Sequence, residues 1–536
     1  NPIESSPNTV SGFLGPGWYH QEACAVIDRI YEHAEKRGIQ VMHCLYNANT
    51  LVGGHLSRDY HRQFAWPLAE NGGPCAEPEE FWTLPEARRL VRQKLRYCIA
   101  RWGYSPSLLC WEFFNEVGHL EREHRIRWHR DMARFIRETD PFGHLVSNSS
   151  HDASADLWGL PAMDFVQTHI YNKQDNPGYV RNTVRRVHER FGKPILFGEF
   201  GPHSKGLWQE EDPAGVAMHN VIWQTALCLG MGVSDWYVRY IEKYDLWSHN
   251  RAFARWAEQV PWNHPKMRTA TPPQVKTRGS PPGNERRDAI PIPAATDPFE
   301  KLDDPVLTVD PETGTVDNPE LLQPYLHGME NRKSTPTFVL DSDAPCEFRV
   351  RVTGTVGDKT NALRIFLDGE PVKEVAFPAE NVPDARVTYI EKYDNWSVHY
   401  KTPRTVAVNV PAGEHRVRVE AVGKDRLEVN YVIRKYASGS DDAEATALTN
   451  GENAWLWIRN TRSTNTFLRA GSGPQPIPAA DVAITGLPDG SYAAEWYDPW
   501  GRKRAGTTRG TCTGGTLLLS VPGFTHDIAG TVRPAE

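Results

Sequence analysis

Residues Ser107–Leu120 read SLLCWEFFNEVGHL. From Leu108 to Phe114 the run is apolar except at Glu112, and it closes on the pair Asn115–Glu116. A continuous apolar run of this length is expected of a parallel strand covered on both faces. The amide and the carboxylate then fall where the strand leaves the core. Glu112 lies four residues before Glu116, on the same pleat face, and is expected to pair with a cation in the interior.

Outward from this stretch, helical and strand patterns alternate. EACAVIDRIYEHAEKRG precedes IQVMHCLYN, and EARRLVRQKLRYCIARWG precedes SLLCWEFFNE. HRIRWHRDMARFIRETD precedes HLVSNSS, and MDFVQTHIY precedes VRNTVRRVHERFG. KPILFGEFG, AGVAMHNVIWQTALCLG and MGVSDWYV complete the series. Strands alternating with helices imply a parallel sheet with crossover helices. Six strands are read, and no candidate precedes Gln21. The expected fold class is α/β: a (β/α)8 (TIM) barrel whose N-terminal strands are missing from this chain, followed by two all-β sandwich domains. Six strands leave an open parallel edge. An upstream segment, a second chain or a partner subunit is therefore expected to complete the barrel.

The expected barrel spans 1–268 and supplies strands three to eight. Residues 269–299 are rich in Pro and charge and read as a linker. From 300 to 437 a period-two pattern broken by Gly, Pro and Asp turns reads as a β-sandwich. A second break, ASGSDDAEATALTNGEN, precedes a small C-terminal β-sandwich, 438–536. YIEKYDLWS (240–248) recurs as YIEKYDNWS (389–397) without extending outward, so it is not a domain duplication.

Composition narrows the function. A length of 536 residues implies two to four domains, and 39% hydrophobic with 24% charged residues is a globular composition. A formal charge of −7 without a basic stripe excludes a nucleic-acid partner. No apolar run is long enough to span a membrane. The start, NPIESSPNTV, has neither an initiator Met nor a leader, so a removed leader or upstream residues are expected. The eight Cys lack framework spacing, and Cys44, Cys98, Cys110 and Cys228 read as small core residues. No HExxH or paired CxxC occurs, so neither metal nor cofactor is expected. Eighteen Trp suit flat sugar faces, although most Trp belong to cores.

Residues at the C-terminal ends of barrel strands line the active face. Here they are His43 and Asn47, Asn115 and Glu116, Asn148 and Ser149, His169 and Tyr171, Glu199, and Trp236. Two carboxylates on different strands face one mouth. Glycosidic cleavage needs such a pair, one neutral to protonate the leaving oxygen and one ionised to attack. Asn115 is placed to hold a sugar hydroxyl, Tyr171 to orient Glu199, and His43 to touch substrate. Trp66, Trp82 and Trp208 are candidate subsites. Tyr393 and Trp396 are a candidate sugar platform on the first sandwich.

RYCIARWGYSPSLLCWEFFNEV, DFVQTHIY, KPILFGEFG and SDWYVRYI resemble the retaining glycoside hydrolases of clan A, most of all family-five-like bacterial enzymes with accessory β domains. The resemblance covers residues 1 to about 262. It implies that Glu116 is the acid/base and Glu199 the nucleophile. It also places His169, Tyr171 and Trp236 beside the substrate. The sandwiches resemble, more loosely, a carbohydrate-binding jelly roll and a small terminal β domain. Clan members carry an Arg at the end of strand two, and this sequence begins after that point.

The expected function is therefore a retaining glycoside hydrolase, cleaving β-glycosidic bonds of a polysaccharide or oligosaccharide by double displacement. Its expected location is secreted or periplasmic. One alternative is a non-catalytic carbohydrate-binding or structural extracellular protein with a retired barrel. Another is a transglycosylase using the same residues.

Overall fold

The structure is a computed structural model. It describes residues 3, 15–47, 65–117, 122–149, 155–171, 176–201, 212–232, 237–278, 287–289, 304–309, 316–317, 321–329, 333–342, 345–357, 361–378, 382, 384–390, 395–437, 443–465, 468 and 473–535. Two compact units divide the chain: 1–169 with 186–198, and 170–185 with 199–536.

The six strands read from the sequence all form. They are β1 (Val41–Asn47), β2 (Leu108–Asn115), β3 (Leu145–Ser147), β4 (Val166–Tyr171), β5 (Ile195–Gly201) and β6 (Met231–Gly232). Their sheets run β1-β2-β3 and β4-β5-β6. β1 pairs parallel with β2, bringing Asn47 opposite Asn115, and β2 pairs parallel with β3. A parallel bridge, Ser149 to Gln167, continues the order from the end of β3 to β4. Of the strand expected over 231–238, Met231–Gly232 are described as β6, residues 233–236 lie outside the described residues, and Tyr237 leads into the helix Val238–Lys243.

In the first unit the core lies between β1–β3 and their helices. The helix Pro85–Trp102 starts with Pro at its first turn, where the missing N–H costs nothing, and stops at Gly103. Its buried residues Ala87, Leu90, Val91, Lys94, Leu95, Cys98, Ile99 and Trp102 recur at helical spacing. Lys94 Nζ is buried, donates to Leu45 O at 3.0 Å and lies 3.9 Å from the centre of the Tyr46 ring. Glu112 is buried, but its partner is not a cation. The Gln167 amide donates to its carboxyl, and burial pushes its pKa up. Seven of the eight Cys are buried, as small core residues would be.

In the second unit the helices before residue 268 and the C-terminal part share one core. Trp223 and Leu227, from the helix Val216–Leu227, cluster with Trp256, Leu448, Trp455, Trp457 and Ala529. Trp223 and Trp457 stack at 6.3 Å. Asn220 Nδ2 donates to Ser463 O at 2.7 Å, and His219 Nε2 lies 2.8 Å from Asp527 Oδ2. Residue 268 is therefore no boundary in packing.

The stretch expected as a linker also begins as structure. Arg268–Thr269 pairs with Ala443–Thr449, and Gln274–Arg278 pairs with Ile477–Thr485. These two short strands are the ends of a nine-stranded sheet, and their core is shared through Val275. The strands of the C-terminal part thus form one continuous hydrogen-bonded sheet that takes in Arg268–Thr269 and Gln274–Arg278. Between its strands, from about 287 to 437, lies a sandwich of a five-stranded and a six-stranded sheet around Phe338, Phe348, Val417 and Tyr431.

The nine-residue repeat takes two structures. Tyr240 and Ile241 belong to the helix Val238–Lys243, whereas Tyr389 and Ile390 end the strand Ala385–Ile390. Local propensity is weak enough for packing to override it.

Two buried histidines set an expected pH response. Burial holds His43 down to about 3 and His249 down to about 4. A depressed histidine is protonated on unfolding but not when folded, so stability falls as pH drops below about 6.5. Asp212, pushed up to about 6 by burial, has the opposite slope between about 3.8 and 6. Asp212 and His249 share the second unit and largely cancel, and in the first unit Glu112, pushed up by burial, opposes His43 in the same way. Hydrogen exchange between pH 7 and 4.5 should show protection of β1–β2 falling more steeply in Glu112→Gln than in the wild type, because the opposing carboxyl is gone. The helix Val216–Leu227 should change less.

Candidate active site

Strand β4 organises the site. Its residues Gln167, His169 and Tyr171 alternate onto one face, and each bonds to a glutamate. The Gln167 amide donates to Glu112, His169 Nδ1 lies 2.9 Å from Glu116 Oε1, and the Tyr171 hydroxyl donates to Glu199 Oε2 at 2.6 Å. The first two pairs belong to the first unit and the third to the second.

Glu116 follows the last residue of β2. Its side chain is 20% exposed and that of His169 is 3% exposed, so the carboxyl reaches solvent while the imidazole backs it. Its backbone has φ +57°, in the left-handed region. Asn115 is half-buried at the strand end, and its Oδ1 accepts from Ser149 Oγ at 3.5 Å. Ser149 is wholly buried.

Glu199 lies within β5, in the GEFG motif, and is 8% exposed. Both glycines of the motif serve close approach. A Cβ on Gly198 would meet the Gln167 side chain at 3.0 Å, and one on Gly201 would meet the Tyr171 ring at 3.0 Å. A charge-assisted O–H···O bond such as Tyr171–Glu199 is short and strong, and favours the ionised carboxylate.

His43 does not line this face. It is 6% exposed, its Nδ1 lies 3.0 Å from the Tyr31 hydroxyl, and it packs on Trp102 and Trp111. Strand alternation turns it toward the helix Gln21–Glu35 while Cys44 turns inward toward Glu112, and burial, with the Glu112 charge second, pushes the Cys44 thiol up. The expectation of a substrate contact is corrected to a core residue. Trp66 and Trp82 are likewise buried, packed with Tyr46, Phe81 and Phe114. Trp236, Trp208 and Tyr393 lie outside the described residues. Trp396 is half-buried and pairs with Tyr389 at 4.9 Å.

One residue was passed over in the sequence, and another was named there only for its place at a strand end. Gln167 stands two positions before His169, so period-two counting alone places it on the same face. Ser149 stands at a strand end, yet its hydroxyl gives no chemical signal without the geometry of Glu116.

No family model matches the chain. Mannan endo-1,4-beta-mannosidase 3 of Oryza sativa subsp. japonica is 22% identical over 256 residues, 39% of this chain and 50% of that protein. Mannan endo-1,4-beta-mannosidase 4 of Solanum lycopersicum is 21% identical over 230 residues, 35% of this chain and 56% of that protein. The chain thus spans about half the length of the curated relatives it matches. Among solved structures, a glycoside hydrolase family 5 mannosidase from Rhizomucor miehei matches at 15% identity and a TM-score of 0.33. The match covers 44% of this chain and 68% of that one. Among the described residues no helix is long and apolar enough to cross a membrane.

Proposed function

We propose that this chain is a retaining glycoside hydrolase of clan A that cleaves β-glycosidic bonds in a polysaccharide, with β-1,4-mannan as first candidate. The observation that carries the reading is β4, where neighbouring same-face residues hold two carboxylates by different means: His169 for Glu116 and Tyr171 for Glu199. Double displacement needs two carboxyls with different protonation duties. The names of the curated relatives favour mannan. A polymer too large to enter a cell suits a secreted or periplasmic enzyme.

In the first step the Glu199 carboxylate attacks the anomeric carbon. The bond to the leaving oxygen breaks, and the Glu116 carboxyl gives that oxygen its proton. In the second step water attacks the same carbon and the ester bond to Glu199 breaks. The Glu116 carboxylate takes the water's proton, and configuration is retained. Tyr171 steadies the charge on Glu199 before attack, and His169 fixes the Glu116 carboxyl for both transfers.

The test is proton NMR of the first product from β-mannan, which should be the β-anomer. An α-anomer would exclude double displacement. No product from a panel of mannan, glucan, xylan and galactan would favour a retired barrel that only binds. Glu116→Ala should lower kcat/KM about 10²–10⁴-fold for a phenyl glycoside, where acid help is needed. For a 2,4-dinitrophenyl glycoside it should change kcat/KM little.

A further inference from the structure

Glu116 is one of few described non-glycine residues with positive φ, at +57°. A residue with a Cβ pays about 1–2 kcal/mol for that conformation and keeps it only where its surroundings impose it. Here the surroundings are chiefly one residue. Glu116 N–H donates to Ser149 Oγ at 2.8 Å, and Val117 N–H donates to Ser149 O at 3.1 Å. Ser149 N–H donates in return to Phe114 O at 3.0 Å.

In an extended strand consecutive N–H groups point to opposite sides, so a single neighbour does not receive both. The left-handed turn at Glu116 brings the N–H groups of 116 and 117 to one side, where Ser149 accepts both. Ser149 is itself pinned. Asn148 Nδ2 donates to its carbonyl at 2.9 Å, and it bridges to Gln167 on β4, two residues from His169. The hydroxyl therefore sets the backbone from which the Glu116 carboxyl reaches His169. Without it a part-buried N–H loses its acceptor, at a cost of about 1 kcal/mol, comparable to the strain it holds in place.

We propose that Ser149 is a positioning residue for the acid/base, holding Glu116 in its left-handed conformation by accepting its backbone N–H. The proposal rests on the reading of Glu116 as acid/base. Its test compares wild type, Ser149→Ala, Glu116→Ala and the double variant on phenyl and 2,4-dinitrophenyl β-mannobiosides. Ser149→Ala should lower kcat/KM for the phenyl substrate about 30-fold and leave the dinitrophenyl substrate within about threefold, since only the former needs protonation. Added to Glu116→Ala, Ser149→Ala should cost nothing further, because its effect runs through a carboxyl already removed.

Hydrogen exchange gives an arm independent of activity. The Glu116 amide should exchange at least about tenfold faster in Ser149→Ala, while Cys110–Phe113 in β2 keep their protection. Equal losses on both substrates, an undiminished loss in the Glu116→Ala background, or an unchanged Glu116 amide would each overturn the proposal. If wild type cleaves no glycoside, the enzymatic reading fails. The exchange rate at Glu116 then still decides whether Ser149 holds that backbone.

Discussion

Glu199→Ala is expected to lower kcat by about 10⁵-fold, the scale on which loss of a covalent nucleophile acts in other enzymes. Glu199 is 8% exposed and accepts a 2.6 Å bond from Tyr171, so alanine leaves a pocket beside an oriented phenol and no competing carboxylate. A small anion fits such a pocket. Sodium azide should restore turnover of a 2,4-dinitrophenyl β-mannobioside and yield the α-glycosyl azide, because azide then attacks the face that Glu199 used. In Glu116→Ala the nucleophile remains, the glycosyl-enzyme forms, and azide should give the β-azide instead. Obtaining the β-azide from Glu199→Ala, or finding near-wild-type activity in that variant, would move the nucleophile elsewhere.

The second large effect concerns stability. Trp457→Ala should destabilise the second unit by about 4 kcal/mol, as large aromatic truncations in packed cores do. Trp457 is 1% exposed and stacks on Trp223, in a cluster drawn from the helices Val216–Leu227 and Trp247–Ala257 and from the C-terminal sheet. Because the core is shared, the loss should spread. Hydrogen exchange should show protection falling together in the helix Val216–Leu227 and in the strand Ala454–Asn460. A melting midpoint that drops while the helix keeps its protection would mean that the two parts fold separately.

Much of this was legible in the chain. All six strands of the two three-stranded sheets showed themselves, most plainly where a buried strand is apolar along its length, as Leu108–Phe114 is apart from Glu112. Glu116 and Glu199 stood out because a carboxylate after such a run has no place in a core. His43 misled for a related reason. Its position along the strand was right, but one step of alternation separates cleft from core, and a histidine suits either. The roles of the 268–278 strands were hidden by composition, since edge strands in a Pro-rich stretch carry no hydrophobic run. Trp66 and Trp82 were misplaced because a loop position does not reveal burial. The helix at Tyr240 and the strand at Tyr389 share their local sequence, so no local reading separates them.

The route of the chain through the C-terminal sheet bears on its ancestry. Thr269 and Leu448 are paired neighbours, although the whole sandwich lies between them in sequence. A segment whose two ends meet in one host sheet is the kind that can be gained, lost or exchanged with little disturbance to its host. The sandwich thus has the geometry of a passenger, free to differ between descendants of one ancestor. The C-terminal sheet has no such freedom. It completes the core over Trp223 and Trp256, so any lineage that keeps those helices must inherit the sheet with them.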